Sequence, residues 1–486
     1  MHNRSLSAQV VILGAGPAGL SAAIQLARSG VKSVVVDENP KIGGAIFRQP
    51  QRERLPPGDS RKEEDKTRLR AKALFEEFES AREHASLLLG AEVVGALGDR
   101  DELAVLVDGK VQNLPFARLI VAAGCYERAQ PFPGWTLPGV MTVGGAQLQV
   151  KSGLVKPGGR AVLAGTGPLL LVAAKQLHEA GVQIAGVFEA GRRIDLARSF
   201  PALLANPGLV MEGLAYHRYL KNAGIPFHYG WGIVEARGAR ELSSVVVAPY
   251  TTDWEPIRRR EIVLEVDCLG VGYGYVPRTQ LTQMLGCRHE HRSADGGLCP
   301  VADEWRRTSR ENVYVAGDVA GVFGSETAAQ DGKLAALACL KDGGTLGAAE
   351  AERLAAPLRA SSTRLRKFRA AFDRFSTPRV GMLQLPTPET IVCRCENVAR
   401  ENVDRAVDGG VKTLAALKMA TRVGMGDCQG KMCSSFCFEY LRHRTGGTSE
   451  TVGESRPRFP LAPIPFSAML SAPTDTTHNT NTQGQS

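Results

Sequence analysis

The chain has 486 residues, a length that predicts about three domains rather than one compact core. Its composition is 43% hydrophobic and 22% charged, and no apolar run reaches the roughly 18 residues needed to span a bilayer, so we expect a globular protein that is not transmembrane. The formal net charge is +9, but the basic residues are scattered and no nucleic-acid motif accompanies them, so we expect no nucleic-acid partner.

The first residues and the cysteine content indicate a reducing compartment. The first apolar run flows directly into a glycine motif and has no separate signal-peptide core or small-residue cleavage site. We therefore expect a cytoplasmic protein, in which its ten cysteines stay reduced. Such cysteines indicate a metal site, redox chemistry or plain burial rather than a disulfide framework.

Residues 8–38 have the pattern strand, glycine turn, helix, strand. Three glycines follow the apolar strand "VVIL" with the spacing G-x-G-x-x-G, which permits a tight turn, a close approach to a pyrophosphate and close helix–strand packing. The acid that ends the next strand lies where a carboxylate can hydrogen-bond a ribose. The predicted residues of this dinucleotide site are Gly14, Gly16, Pro17, Ala18, Gly19, Asp37 and Glu38.

Three later stretches favour FAD over NAD at this first site. "GGAIFRQ" contains Gly44 and Arg48 and can cradle the flavin side. "VAAGCYERAQPFPG" resembles an element of two-dinucleotide-binding flavoproteins, with Ala123 and Gly124 where that element has Thr and Gly. "VYVAGD" ends in Gly317 and Asp318, and the resemblance implies that this aspartate bonds the ribityl chain of FAD. A helix starting near Gly324 would direct its positive end at the flavin.

A second strand–glycine–helix–strand unit begins with "RAVLAGTGPLLLVAAKQL". It keeps Gly165 and Gly167, and Glu189 ends its second strand, but Leu170 stands where a third glycine is usual. We expect this leucine to push helix and strand apart. The pattern therefore leaves open a working NAD(P) site, a site for another adenine nucleotide, or an empty fold.

Four cysteines lie near the end of the chain, as C-x-C in "VCRCEN" and C-x-x-x-x-C in "DCQGKMC". The residues between the two pairs predict two short helices, and glycines before the second pair let the backbone wrap closely. Clustered thiolates need a metal, and glycine-loop amides can stabilise their charge. Zinc usually takes C-x2-C pairs, so we predict a [2Fe–2S] cluster. The predicted ligands are Cys393, Cys395, Cys428 and Cys433.

The motif "CRCENV…GMGDCQGKMC" resembles the bacterioferritin-associated-ferredoxin-like [2Fe–2S] domain, and the first 340 residues resemble a two-dinucleotide-binding flavoprotein. Together with "AAGCYERAQPFPGWTLPGVMTVGGAQ" and "GTGPLLLVAAKQL", they resemble the α (A) subunits of bacterial opine oxidases, D-hydroxyproline dehydrogenases and hydrogen cyanide synthase. The resemblance implies an electron-transfer role beside a second flavoprotein subunit, of the D-amino-acid or sarcosine oxidase type, that oxidises a C–N bond. It also allows a second flavin shared with a partner and a small third subunit.

On this basis we predict an FAD-dependent oxidoreductase subunit that passes electrons from a partner through FAD and the cluster to an acceptor. The acceptor could place the protein peripherally on the inner membrane. The alternative is an autonomous NAD(P)H-dependent reductase. No catalytic residue is assigned, since His217 is more simply explained as an ordinary packed or surface histidine. Fold alone does not decide between these functions.

The predicted fold class is α/β, with a Rossmann-like FAD domain interrupted by a second nucleotide domain and followed by a small helical [2Fe–2S] domain. The predicted divisions are residues 1–150 and 265–345 for the FAD domain, 151–264 for the inserted domain, 346–387 for a helical linker, 388–445 for the cluster domain and 446–486 for an extended, partly disordered tail that docks on a partner.

Overall fold

The structure is a computed structural model that describes residues 8–50, 66–97, 100–203 and 206–470. The strands in these residues are β1 (Ala8–Leu13), β2 (Ser33–Asp37), β3 (Ala85–Leu89), β4 (Glu92–Ala96), β5 (Glu102–Val107), β6 (Lys110–Val121), β7 (Cys125–Glu127), β8 (Val140–Thr142), β9 (Arg160–Gly165), β10 (Gln183–Glu189), β11 (Phe227–Tyr229), β12 (Trp231–Arg237), β13 (Ser244–Pro249), β14 (Ile262–Glu265), β15 (Cys268–Gly272), β16 (Tyr275–Pro277), β17 (His289–Arg292), β18 (Gly297–Pro300), β19 (Val313–Val315), β20 (Ile391–Cys393) and β21 (Val398–Ala399).

The α-helices in the same residues are α1 (Pro17–Ala27), α2 (Lys66–Glu79), α3 (Val143–Leu148), α4 (Leu169–Glu179), α5 (Arg193–Leu203), α6 (Pro207–Asn222), α7 (Gln280–Met284), α8 (Ser325–Asp342), α9 (Ala348–Ser376), α10 (Arg400–Asp408), α11 (Leu414–Thr421), α12 (Ser434–Thr445), α13 (Ser449–Val452) and α14 (Phe466–Leu470). No helix within the described ranges is both long enough and apolar enough to cross a membrane.

The first sheet has the order β3-β2-β1-β6-β5-β4, with β19 beside β6. Strand β6 pairs with different strands along its length. Its first half pairs antiparallel with β5, and its second half pairs in parallel with β1 and β19. Strand β2 reads "SVVVD" and is buried throughout, as expected for a strand inside a parallel sheet covered on both faces. Because β19 comes late in the chain, the segment between β6 and β19 includes a separate unit, which agrees with the predicted insertion.

The inserted unit is a parallel five-stranded sheet of order β11-β10-β9-β15-β8. An antiparallel sheet of β12, β13 and β14 packs beside it, and the antiparallel ribbon of β7 and β16 lies where the chain passes between the two parallel sheets. Apolar side chains from helices and strands build separate hydrophobic cores on each parallel sheet.

Helix α9 is 29 residues long and packs on α8 of the first unit and α5 of the second. It leads to a small module in which the β20–β21 hairpin and helices α10, α11 and α12 surround their own apolar core. The two helices predicted between the cysteine pairs are α10 and α11. The chain after α12 forms α13, an extended stretch and α14, while residues 471–486 of the predicted tail lie outside the described residues.

Candidate functional site

The glycine loop after β1 brings three segments of backbone into direct contact. A Cβ on Gly19 would lie 1.8 Å from the carbonyl oxygen of Gly14, and a Cβ on Gly14, whose φ is +104°, would lie 2.4 Å from that of Ala122. Gly44 approaches from the loop after β2, where a Cβ would lie 2.9 Å from the Cα of Gly16. Only glycine fits these positions, so the loop is built for close backbone approach.

Helix α1 begins at this loop with Pro17 at its first position and without a side-chain cap or an acidic residue in its first turn. The amide groups of an uncapped helix N-terminus lack partners within the helix and favour an anion. The arrangement therefore suits a pyrophosphate.

Asp37, at the end of β2, holds the loop in place. Its carboxylate accepts hydrogen bonds from the backbone amide of Ala15 at 2.6 Å and from the amide and side chain of Asn39 at 2.8 and 2.7 Å. Arg48 donates to the side-chain oxygen of Asn39, and its buried Nε has no hydrogen-bond partner in the structure. The guanidinium of Arg278 donates a hydrogen bond to the carboxylate of the neighbouring Glu38 at 2.9 Å. The predicted acid, arginine and glycines of the first site therefore lie together.

Asp318 lies in the turn between β19 and α8, beside the first turn of α1. A Cβ on Gly317 would lie 3.0 Å from the Cβ of Ala18, and one on Gly332 of α8 would lie 2.0 Å from the Ala18 carbonyl oxygen. The Asp318 carboxylate accepts from the amides of Phe323 and Gly324 at 3.2 and 3.3 Å, and burial raises its pKa. The close packing of α1 and α8 thus brings Asp318 to the glycine loop.

All the predicted residues of the first site meet at the carboxyl ends of β1, β2, β6 and β19, with Ala123 and Gly124 directly after β6. Ligands of open α/β sheets bind at this edge. A backbone cradle that a Cβ would fill, an uncapped helix N-terminus and the half-buried Asp318 beside the first turn of α1 fit a dinucleotide such as FAD.

Strand β7 contributes residues that sequence reasoning missed. The Cys125 thiol lies 3.7 Å from the Asp318 carboxylate and donates to it. Arg128, just beyond β7, donates to the Ser435 hydroxyl on α12 and to the Gly296 carbonyl oxygen. The only sequence signal for a role of these residues was their position, because "CYER" directly follows Ala123 and Gly124. Strand β7 thus contacts the first site at one end and the cysteine module at the other.

At the second nucleotide loop, Glu189 accepts from the amides of Gly167 and Gly191, both at 2.8 Å, and is 3% exposed. Leu170 is 1% exposed and belongs to the apolar core that α4 shares with β9 and β10. His217 lies in this unit, hydrogen-bonded to the Tyr229 hydroxyl at 2.7 Å, and not at the first site.

Glu189 makes the stability of this unit depend on pH. Burial raises its pKa from 4.5 to about 7, against the opposing hydrogen bonds from Gly191 and Gly167. A folded-state pKa above the unfolded value means that stability is lost as pH rises from about 4.5 towards 7, by at most about 3 kcal/mol. We expect Glu189→Gln to flatten this part of the profile, as measured by denaturant unfolding at several pH values. A variant profile as steep as the wild-type one would show that another group titrates.

The four cysteines lie on the β20–β21 hairpin and on the loop of residues 428–433, which we call the cysteine loop. Their thiols interact most strongly as two pairs, Cys393 with Cys433 and Cys395 with Cys428, and Cys433 also interacts with Cys437. The first pair is buried, whereas Cys395 is exposed and Cys428 half-buried. One pair therefore lies inside the module and the other near its surface.

Backbone amides surround these sulfurs. The bond with Cys433 and burial raise the pKa of Cys393, while the amides of Gly424 and Glu396 donate to its sulfur and act in the opposite direction. The amide of Cys428 donates to Cys395, and a Cβ on Gly426 would lie 2.2 Å from the Cys395 Cβ. These donors are what a thiolate cluster requires.

The pairing also bears on the kind of metal. Across residues 8–50, 66–97, 100–203 and 206–470, no three Cys, His, Asp or Glu side chains converge closely enough to hold a single ion. A mononuclear zinc site needs all its ligands at about 2.3 Å from one centre. Four cysteines that come together as two neighbouring thiol pairs fit a [2Fe–2S] cluster, in which each iron takes two of the four cysteines.

Comparison with known proteins agrees with both parts of this site. The model of the pyridine nucleotide-disulphide oxidoreductase family matches residues 8–333, and that of the BFD-like [2Fe-2S] binding domain matches residues 391–443. The chain is 44% identical to hydrogen cyanide synthase subunit HcnB of Pseudomonas protegens over 467 residues, 95% of this chain and 97% of that protein. It is 32% identical to the A subunit of opine oxidase from Agrobacterium tumefaciens over 478 residues, 96% of this chain and 92% of that protein.

Among solved structures, L-proline dehydrogenase from P. horikoshii superposes on 96% of this chain and 79% of its own, with a TM-score of 0.69 and 19% sequence identity. This likeness confirms the fold of the two parallel sheets and the module that follows them. At this identity it says nothing about substrate.

Proposed function

Because this chain belongs to the pyridine nucleotide-disulphide oxidoreductase family, together with HcnB and the A subunit of opine oxidase, we propose that it is the electron-transferring subunit of a flavoprotein dehydrogenase. The dehydrogenase has several subunits, and it oxidises a C–N bond of an amino acid or opine in a partner subunit. This chain receives the electrons and carries them towards an acceptor.

The observation that carries this proposal is the bridge formed by residues 125–128. Cys125 contacts the acid of the first site, and Arg128 contacts the helix that starts directly after the cysteine loop. Three residues of extended chain span only about 10 Å, so the two sites lie within a short distance along one strand. A two-electron and a one-electron centre held this close suit stepwise electron transfer.

In this proposal the first site holds FAD and the cysteine module holds the [2Fe–2S] cluster. Bound FAD can accept two electrons and release them singly, which suits a one-electron cluster. The chain's own residues provide the cradle (Gly14, Gly16, Gly19 and Gly44), the anion-binding end of α1 and the half-buried Asp318. The proposed cluster ligands are Cys393, Cys395, Cys428 and Cys433. The domain boundaries predicted from the sequence are part of the same proposal.

The partner in this proposal is a second flavoprotein subunit of the D-amino-acid or sarcosine oxidase type, with room for a flavin shared between subunits and for a small third subunit. The fold around Gly165, Gly167 and Glu189 is proposed to take NAD(P) or another adenine nucleotide. Gly167, at φ +100° with open space where a Cβ would lie, leaves the second loop accessible at its tip.

The test is an anaerobic visible-spectrum titration of the chain, purified alone and with its partner flavoprotein. We expect flavin and iron–sulfur bands that NADH leaves oxidised. The same bands should bleach when partner and a cyclic or N-substituted amino acid are both present.

Prompt bleaching by NADH without partner would instead establish the autonomous reductase. Bleaching by substrate without partner would place the oxidation site on this chain. It would contradict the proposal that the partner oxidises the substrate and this chain transfers the electrons. Adding NADPH separates the two nicotinamide cofactors in the same experiment.

A further inference from the structure

The stretch between α13 and α14, residues 456–462, fastens the cysteine loop to the first sheet. We call it the strap. From the cysteine loop, Gln429 donates its side-chain amide to the Pro460 carbonyl oxygen at 2.7 Å, and Lys431 donates its ammonium group to that of Leu461 at 3.1 Å. Both donors stand between Cys428 and Cys433, so the strap is bonded to the loop that carries two of the proposed ligands.

The other side of the strap is part of the first sheet. The Leu461 amide donates to the Val94 carbonyl oxygen at 2.7 Å, and the Leu461 side chain is 7% exposed in the core of that sheet. The Phe459 ring lies over Gly95, where a Cβ would come within 2.6 Å of it. Beyond the strap, Ala468 of α14 is buried in a second small apolar cluster with Val94. The described part of the tail therefore packs on its own chain.

The space beneath the strap explains why this fastening matters. A cavity of about 250 Å³ separates the cysteine loop from the first unit, and Tyr126, Gln280, Gly430 and Ser434 line it together with the strap. Part of the cysteine loop therefore faces this cavity instead of packing against the first unit. Arg128 bonds Ser435 at the start of α12, directly after the loop, and the strap bonds the loop itself.

We propose that the strap is a positioning element for electron transfer from the flavin site to the cluster, with Gln429 and Lys431 as the residues that attach it. The inference rests on the proposed function. With the strap attached, the cysteine loop is bonded to a segment that is itself anchored on the first sheet. With the strap released, the loop loses these two bonds and keeps its contact through Met432 and the contacts of α12, so it moves more freely beside the cavity. Electron transfer slows steeply as the distance between two centres grows, so a displaced loop delays cluster reduction.

The experiment compares wild type with the double variant Gln429→Ala/Lys431→Met, which removes both donors but no core residue and no cysteine. The complex with its partner is mixed anaerobically with substrate, and flavin and cluster bleaching are followed separately by stopped flow. Trypsin cleavage after Arg458, which lies within the strap and is exposed, reports attachment without any catalytic readout. Lys418→Met is the matched control, because Lys418 lines the same cavity but makes no strap bond.

We expect the double variant to keep its iron and FAD, to reduce its flavin at the wild-type rate, and to be cleaved faster after Arg458. Its cluster should be reduced about tenfold more slowly or worse. Lys418→Met should match wild type in both readouts. Faster cleavage with cluster reduction within about twofold of wild type would overturn the positioning role, and unchanged cleavage would overturn the attachment. Wild type that reduces its flavin but never its cluster would contradict the proposed function instead.

Discussion

Replacing Cys433 with serine is expected to yield a chain that binds FAD normally but holds no [2Fe–2S] cluster. Cys433 is 1% exposed, forms the inner pair with Cys393 and directly precedes α12. A serine hydroxyl is far less acidic than a thiol and is a much weaker ligand for the cluster iron than a thiolate, and loss of even an outer partner of a metal ligand costs about 10- to 100-fold. We expect electron delivery to an acceptor to fall by at least about 100-fold, measured together with iron and sulfide content.

The control for this variant is Cys437→Ser. Cys437 lies one helical turn further along α12, is also buried and hydrogen-bonds Cys433. The two substitutions therefore remove the same atom from the same core. Cluster retained in the Cys437 variant and lost in the Cys433 variant would support the ligand set of Cys393, Cys395, Cys428 and Cys433. The reverse result would show that Cys437 is the ligand.

The fold and the family were predictable because their signals are local. A glycine spacing between a strand and a helix, or two short cysteine spacings, is chemistry confined to a few neighbouring residues. The resemblance to opine oxidase and hydrogen cyanide synthase subunits is confirmed by the identities over nearly the whole chain. The α/β class with an inserted unit is confirmed as well, since β19 returns to β6.

The contacts that link the two proposed redox sites could not be predicted, because they join residues far apart in sequence. Cys125 meets Asp318 and Arg128 meets Ser435 only after both sheets are assembled. The strap is held largely through backbone carbonyl groups, which every residue carries, so its docking has no motif.

Gly19→Ala is expected to weaken FAD binding strongly while leaving the [2Fe–2S] module intact. The added Cβ would lie 1.8 Å from the Gly14 carbonyl oxygen, a backbone atom of the loop that cannot rotate away as a side chain can. The start of α1 must therefore move off the loop, and the pyrophosphate cradle opens. Overpacking of this kind costs about 1–3 kcal/mol. At the upper end this weakens FAD binding by roughly 100-fold, measured by titrating the apoprotein with FAD.

Gly30→Asn separates this local effect from general damage. Gly30 lies in the turn between α1 and β2, has a φ of +70° and has open space where a Cβ would lie. Asparagine tolerates that backbone conformation. We expect this variant to bind FAD as wild type does. In Gly19→Ala, an unchanged iron content would show that the loss is confined to the cradle, because the cysteine module has its own core. Wild-type FAD affinity in Gly19→Ala would mean that the dinucleotide does not bind at this loop, and the first site would have to be placed elsewhere.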